Sequence, residues 1–152
     1  MAKVMIVYAS LTGNTRAGAE IITDAFLDLG ADVELTESYI ADPFDYEDYD
    51  IVVAGAYTYC VGGQLPDEMV DFYEELAEVD LSGKLYGAFG SGDEFYEDLY
   101  CVAVDALEEQ FEKAGATRGA TAVKYNLHPD VEAEEALTAF AKELLENYES
   151  MN

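Results

Sequence analysis

Ser10, Leu11, Thr12, Gly13, Asn14 and Thr15 stand between an apolar run, Val4 to Tyr8, and a segment of helical periodicity. Hydroxyls, one amide and a glycine, with no lysine among them, suit a loop that wraps a phosphate monoester. A strand that feeds such a loop into a helix aims free N–H groups and the positive end of the helix dipole at one point. Gly13 permits a close backbone approach. The nucleoside triphosphate loop needs a second glycine and a Lys-Ser/Thr pair, and neither is here. The Gly-x-Gly-x-x-Gly dinucleotide fingerprint is missing too. Taken alone, a Ser/Thr-Gly-Asn stretch serves equally well as a capping loop that binds nothing. Its meaning depends on the elements around it.

Those elements alternate between strand and helix, which predicts a parallel sheet covered on both faces. Val4 to Tyr8 reads as the first strand. Ile21, Ile22, Ala25, Phe26 and Leu29 then give a helix that stops at Gly30. Val33 and Leu35 alternate with polar neighbours as a half-buried edge strand. Ile51 to Ala54 is a buried strand closed by Gly55, and Pro66 opens a helix with Met69, Phe72, Tyr73 and Leu76 on one face. Leu85 to Phe89 is the fourth strand, ending at Gly90-Ser91-Gly92. Ala103, Leu107, Phe111 and Ala114 make the next helix, Ala120 to Tyr125 the fifth strand, and Ala133 to Tyr148 the last helix. The pattern predicts an α/β, doubly wound, five-stranded parallel sheet of order 2-1-3-4-5. Its ligand site belongs at the C-terminal ends of the first, third and fourth strands.

Three loops meet there. Besides the phosphate loop these are Ala56 to Gln64 and Ser91 to Tyr96, each setting aromatic residues beside glycines. Most of the 12 tyrosines are expected to pack in the ordinary way. Tyr59 and Tyr96, both in switch-point loops, read instead as a pair that sandwiches a flat ring system. A planar group with a phosphate tail is the ligand this arrangement calls for.

The chain has 152 residues, 51% of them hydrophobic, enough for one domain with a substantial core. No linker or repeat divides it, so residues 1–152 are expected to form a single unit. No apolar run approaches a membrane span, and no signal-peptide stretch precedes the first strand. Cys60 and Cys101 are therefore expected as free thiols in the cytoplasm. Asp and Glu number 33 against 7 Lys and Arg, a formal charge of −26, with no basic residue between Arg16 and Lys84 or between Lys84 and Lys113. Such a surface repels nucleic acid and anionic membranes. It serves solubility, docking with basic partners, or both.

Other candidates read as structural. Cys60 has no base beside it in its motif, and Cys101 is expected to pack at a helix start. His128, before Pro129, reads as a solvated turn residue. The acidic runs Asp42 to Asp50 and Glu132 to Glu135 lack the spacing of a calcium loop, and no metal is expected. A phosphoacceptor receiver domain would need an aspartate at the end of the third strand, where Gly55-Ala56-Tyr57 supplies none.

Three motifs in this order resemble the flavodoxins, of the short-chain kind, over nearly the whole chain. They are Ser10 to Thr15; Tyr57-Thr58-Tyr59 with Leu65-Pro66-Asp67-Glu68; and Phe89-Gly90-Ser91-Gly92-Asp93 with Tyr96 and Cys101 to Asp105. The stretch from Ala120 to the last helix leaves no room for the insertion of long-chain members. The resemblance implies a flavodoxin-like fold and a noncovalent FMN site in an electron-transfer protein that is not an enzyme. It implies that Ser10, Thr12, Asn14 and Thr15 hold the phosphate in a loop completed by Leu11 and Gly13. Tyr59 would cover the inner ring face and Tyr96 the outer, with Tyr57, Thr58, Cys60, Val61 and Gly62 completing the first ring loop. N–H groups near Ser91, Gly92 and Asp93 would meet the pyrimidine edge, with Cys101 beside them.

The resemblance further implies a low-potential carrier that shuttles between semiquinone and hydroquinone. Carbonyls near Tyr59 and Cys60 would accept a hydrogen bond from flavin N5–H. Asp67, Asp93, Glu94, Glu97 and Asp98 would disfavour the anionic reduced flavin. The implied partners are basic-patch redox proteins, with flavodoxin reductase-type donors and oxidoreductase acceptors, served by a monomer. Two departures stand out. Tyr59 replaces a common tryptophan, and Cys60 follows it where the family flips a glycine peptide on reduction. A flip through φ > 0 costs a non-glycine residue about 1–2 kcal/mol, up to about one decade in the semiquinone constant. Either that state is less stabilised here, or the flip has moved to Gly62-Gly63. The alternative class is a small FMN-dependent NAD(P)H/quinone reductase or reductase activator, which calls for a basic or aromatic nicotinamide surface. This chain has almost no basic residues near its loops.

Overall fold

In the first strand, side chains are buried on both faces, as a central parallel strand requires. The structure, a computed structural model, describes residues 2–10, 13–57, 67–92 and 101–151, with only the backbone of Asp67 and Glu68. Its strands are β1 (Lys3–Ala9), β2 (Asp32–Glu37), β3 (Ile51–Ala56), β4 (Leu85–Gly92), β5 (Thr117–Arg118) and β6 (Val123–Asn126). The described α-helices are α1 (Asn14–Asp28), α2 (Asp67–Leu76), α3 (Val102–Lys113) and α4 (Val131–Met151). A short 3-10 helix, Pro43–Asp48, precedes β3.

All strand pairs are parallel, in the order β2-β1-β3-β4-β5. β1 lies between β2 and β3, so the chain reverses its winding there and opens a crevice at the C-terminal ends of β1 and β3. Period-2 alternation divides the core into two layers. Val4, Ile6, Ile51, Val53 and Phe89 pack under α1 and α4, against Ile22, Phe26, Leu137, Phe140 and Leu144. Met5, Val7, Val52, Ala54 and Tyr86 pack under α2 and α3, against Met69, Phe72, Leu107 and Phe111. The 3-10 helix, whose sequence reads only as an acidic run, adds Tyr46 to the second layer. That phenol is fully buried and donates to the Val53 carbonyl at 2.6 Å. Without this acceptor the burial of its hydroxyl would be costly.

The expected fifth strand, Ala120 to Tyr125, is two pieces. β5 pairs with Leu85 and Tyr86 of β4, and β6 pairs with Phe89 to Gly92. Between them Gly119 N still donates to the Tyr86 carbonyl at 2.9 Å, and the buried Gly119 carbonyl finds a partner outside the sheet. Asn147 of α4 donates to the Gly119 carbonyl at 2.6 Å. This edge also carries most of the cross-element charge pairing. Lys124 Nζ lies 2.8 Å from Asp105 Oδ1, and Arg118 Nε lies 3.2 Å from Glu108 Oε2. The second pair lacks hydrogen-bond geometry, leaving a buried carboxylate oxygen charge-paired without a hydrogen-bond donor among the described residues. Burial pushes the Glu108 carboxyl above its usual range, and Arg118 offsets this only in part.

Gly90 has no room for a side chain. A Cβ there would stand 2.2 Å from the Ala56 carbonyl oxygen and 2.6 Å from Val104 Cγ2. Backbone cannot yield as a flexible side chain can. Gly90→Ala is expected to cost about 3 kcal/mol in urea unfolding. For Glu108, the folded-state carboxyl binds its proton more tightly than the unfolded one. Its contribution is therefore complete below the unfolded value and is lost as pH rises through the folded one. Glu108→Gln is expected to compare more favourably with the parent protein at pH 7 than at pH 4, measured by urea unfolding at both.

Candidate functional site

The buried length of β1 carries the chain to Ala9, and Ser10 follows at the mouth of the crevice. Gly13 then caps α1 with a left-handed backbone, φ 89°, and contributes no side-chain cap. Its own N–H donates to Ser10 Oγ at 3.1 Å, and the first intrahelical bond runs from Ala17 N to the Gly13 carbonyl. The N–H groups of Asn14, Thr15 and Arg16 precede that bond and have no carbonyl within the helix. The first turn of α1 holds no acidic residue, whereas Asp45, Asp105, Glu132 and Glu134 occupy the first turns of the 3-10 helix, α3 and α4. Carboxylates stabilise that end of a helix. Among the described residues, α1 starts with neither a side-chain cap nor an acidic residue in its first turn, and a phosphate monoester fits its donors.

The sheet holds the start of α1 in place by two contacts. Thr15 Oγ1 and Ser91 Oγ stand 2.9 Å apart, and both residues are buried. Tyr125 of β6 donates its hydroxyl to the Asn14 carbonyl at 2.7 Å. It reaches that carbonyl because Gly18, one turn along, has no side chain; a Cβ at Gly18 would lie 2.3 Å from the tyrosine oxygen. On the other side, Cys101 caps α3 in a left-handed conformation, φ 52°, fully buried. Its sulfur lies 3.7 Å from the Gly90 carbonyl and 3.8 Å from the Tyr125 carbonyl. The ends of β3, β4 and β6 and the starts of α1 and α3 thus form one contiguous wall.

Of the residues expected at the site, Ser10, Gly13, Asn14, Thr15 and Ser91 come together at the start of α1. Gly92 ends β4, its carbonyl accepting from Leu127 N at 2.8 Å, and half-buried Tyr57 follows directly on β3. Cys101 packs at its helix start. Leu11, Thr12, Thr58, Tyr59, Cys60, Val61, Gly62, Asp93 and Tyr96 lie outside the described residues, as do Glu94, Glu97 and Asp98 and the side chain of Asp67. His128 is exposed in the turn before α4. Tyr125 and Gly18 are the supports that sequence reasoning missed. A tyrosine closing a strand and a glycine inside a helix give no sign in the chain that they meet.

The flavodoxin family model matches residues 6–140. Probable flavodoxin 2 of Bacillus subtilis (strain 168) is 40% identical over 144 residues, covering 94% of each chain. Among solved structures, a short-chain flavodoxin associated with a non-canonical PDU bacterial microcompartment is 41% identical, with a TM-score of 0.94, covering 97% of this chain and 99% of that one. The flavodoxin of Streptococcus pneumonia TIGR4 is 46% identical, with a TM-score of 0.92, covering 95% of this chain and 99% of that one. Flavodoxins bind FMN and transfer electrons rather than catalysing reactions of their own. With its family model and relatives covering nearly its whole length, the chain belongs to the flavodoxin family and is an FMN-binding electron carrier.

Proposed function

We propose that this carrier works at low potential as a single domain in the cytoplasm, taking electrons from flavodoxin reductase-type donors and passing them to oxidoreductases with basic patches. The observation that supports the cofactor's placement is the uncapped, acid-free start of α1 beside Ser10 and the Thr15–Ser91 hydroxyl pair. On this reading Ser10, Thr12, Asn14 and Thr15 hold the FMN phosphate with the first-turn N–H groups, and Gly13 and Leu11 shape the loop. Tyr59 and Tyr96 stack on the ring, with Tyr57, Thr58, Cys60, Val61, Gly62, Ser91, Gly92, Asp93 and Cys101 around it. Bound FMN supplies one-electron redox chemistry. The chain's part is to set its energy. Stacked aromatics exclude water, and rim carboxylates disfavour added negative charge, so both lower the potential.

The net charge of −26 supports the choice of partner. A field of one sign speeds encounter with a surface of the other, and salt screens it. No helix among the described residues is long and apolar enough to cross a membrane. The reductase alternative is not favoured, since the family carries electrons between other proteins.

Two outcomes are expected. The apoprotein should bind FMN at least about a hundredfold more tightly than riboflavin, the difference coming from charge-assisted bonds to the phosphate. Anaerobic stepwise reduction should then resolve two one-electron steps, while NAD(P)H alone is not turned over. Separately, electron transfer to a lysine-rich haem protein such as cytochrome c should slow about tenfold between 0.05 and 0.5 M NaCl, as stopped-flow absorbance would show. Equal binding of riboflavin, or a rate indifferent to salt, contradicts the respective half of the proposal.

A further inference from the structure

The turn after β2 carries two large apolar side chains into water. Tyr39 is 67% exposed and Ile40 66%, the only sequence neighbours among the exposed large hydrophobic side chains of the described residues. Phe44, at 43%, follows on the 3-10 helix. The backbone beneath them is pinned. Ser38 is buried and donates its N–H to the Tyr8 carbonyl at 2.8 Å, while the N–H groups of Ile40 and Ala41 both donate to the Glu37 carbonyl. Pro43 is buried, and Tyr46 is locked to the Val53 carbonyl. The inner residues of this segment hold it still, and the outer ones are presented to solvent. Scattered apolar side chains are ordinary on a surface, whereas grouped ones rimmed by charge mark contact with another protein.

The rim here is acidic. Glu37, Asp42 and Asp45 flank the turn, and the chain has no Lys or Arg between Arg16 and Lys84. Arg16 itself is paired with Glu20 at 3.4 Å, and Lys3 lies at the start of β1, over the Tyr49 ring. Resting on the reading that this carrier serves redox proteins with basic patches, we propose that Tyr39 and Ile40 are the apolar centre of its docking face. The occupant is a protein face in which an apolar contact is ringed by lysines or arginines. A second copy of this chain would set carboxylates against carboxylates, and an anionic bilayer would meet the same repulsion. The position suits a carrier. The turn follows the C-terminal end of β2, two strand spacings or about 10 Å from β3, on the end of the sheet where the crevice opens. A standard interface covers about 800 Å² per partner, so a protein seated on Tyr39 also covers that crevice. Charge brings the partner in, and the desolvated apolar pair slows its departure.

The test titrates the full, oxidised, FMN-loaded chain with ferric cytochrome c, whose lysines surround an exposed haem edge, and follows backbone amide resonances. With both proteins oxidised, no electron moves and only binding is read. Amides of residues 38–41 are expected to shift. Tyr39→Ser combined with Ile40→Ser should raise the dissociation constant about tenfold. The steepness of its salt dependence, the FMN affinity and the flavin absorption should stay as in the parent, since no charge is changed. Leu27→Ser, at a side chain 53% exposed near the end of α1, should leave binding as it was. A dissociation constant unmoved by the double change, an equal weakening by Leu27→Ser, or amide shifts that spare residues 38–41 would each overturn the inference. So would sedimentation showing a parent dimer that the double change abolishes, because the occupant would then be a second copy. Should the parent bind cytochrome c with no dependence on salt, the reading of basic partners itself fails and takes this inference with it.

Discussion

Among the described residues the start of α1 has no side-chain cap, and on the proposed reading it attracts an anion in a protein whose net charge is −26. Distance resolves the conflict. The carboxylates of the exposed surface are spread through water and screened beyond about 8–10 Å, whereas the helix donors act at hydrogen-bond range with the dipole behind them. The site therefore depends on keeping acids out of one helical turn while they crowd the others. It depends equally on Gly13, whose left-handed backbone lets α1 begin without a side-chain cap that would occupy those donors.

Holding that turn still is the task of the sheet. β4 delivers Ser91 to Thr15, and β6 delivers Tyr125 to the Asn14 carbonyl. Both strands can approach because side chains are missing where they would block the way, at Gly90 against the Ala56 carbonyl and at Gly18 against Tyr125. The two core layers fix the strands that make these contacts, and the interior is too closely packed to let the register slide. A fault in packing at the crevice would thus reach the phosphate end through backbone displacement rather than loss of a ligand.

The carrier's two tasks use different parts of the molecule. On the proposed reading, binding draws on a few donors at one helix start, held by β4 and β6. Partner choice, on the same reading, draws on charge distributed along the whole surface, where no single carboxylate decides the field. The edge of the sheet at β5 and β6 sits between these roles. There Lys124 and Arg118, two of the 7 basic residues, are spent on Asp105 and Glu108 of α3. Each pair cancels one positive against one negative charge, so the net of −26 stands.

Local pattern was enough to read the sheet order and the helices. Val4 to Tyr8 is buried whichever way it faces, and Gly30 stops a helix by its own backbone freedom. Each of these signals lies within a few residues of the structure it specifies. The split edge strand escaped because the Gly119 carbonyl at its break is satisfied by Asn147, 28 residues away. The 3-10 helix escaped because its one buried ring, Tyr46, finds its acceptor on β3. Sequence determined which residues could bind an anion and where the chain would reverse. Tertiary structure alone decided that Ser91 meets Thr15 and Tyr125 meets Asn14, contacts spanning 76 and 111 residues. Such pairs arise only when the strands are in register, and no local preference of either residue encodes the other.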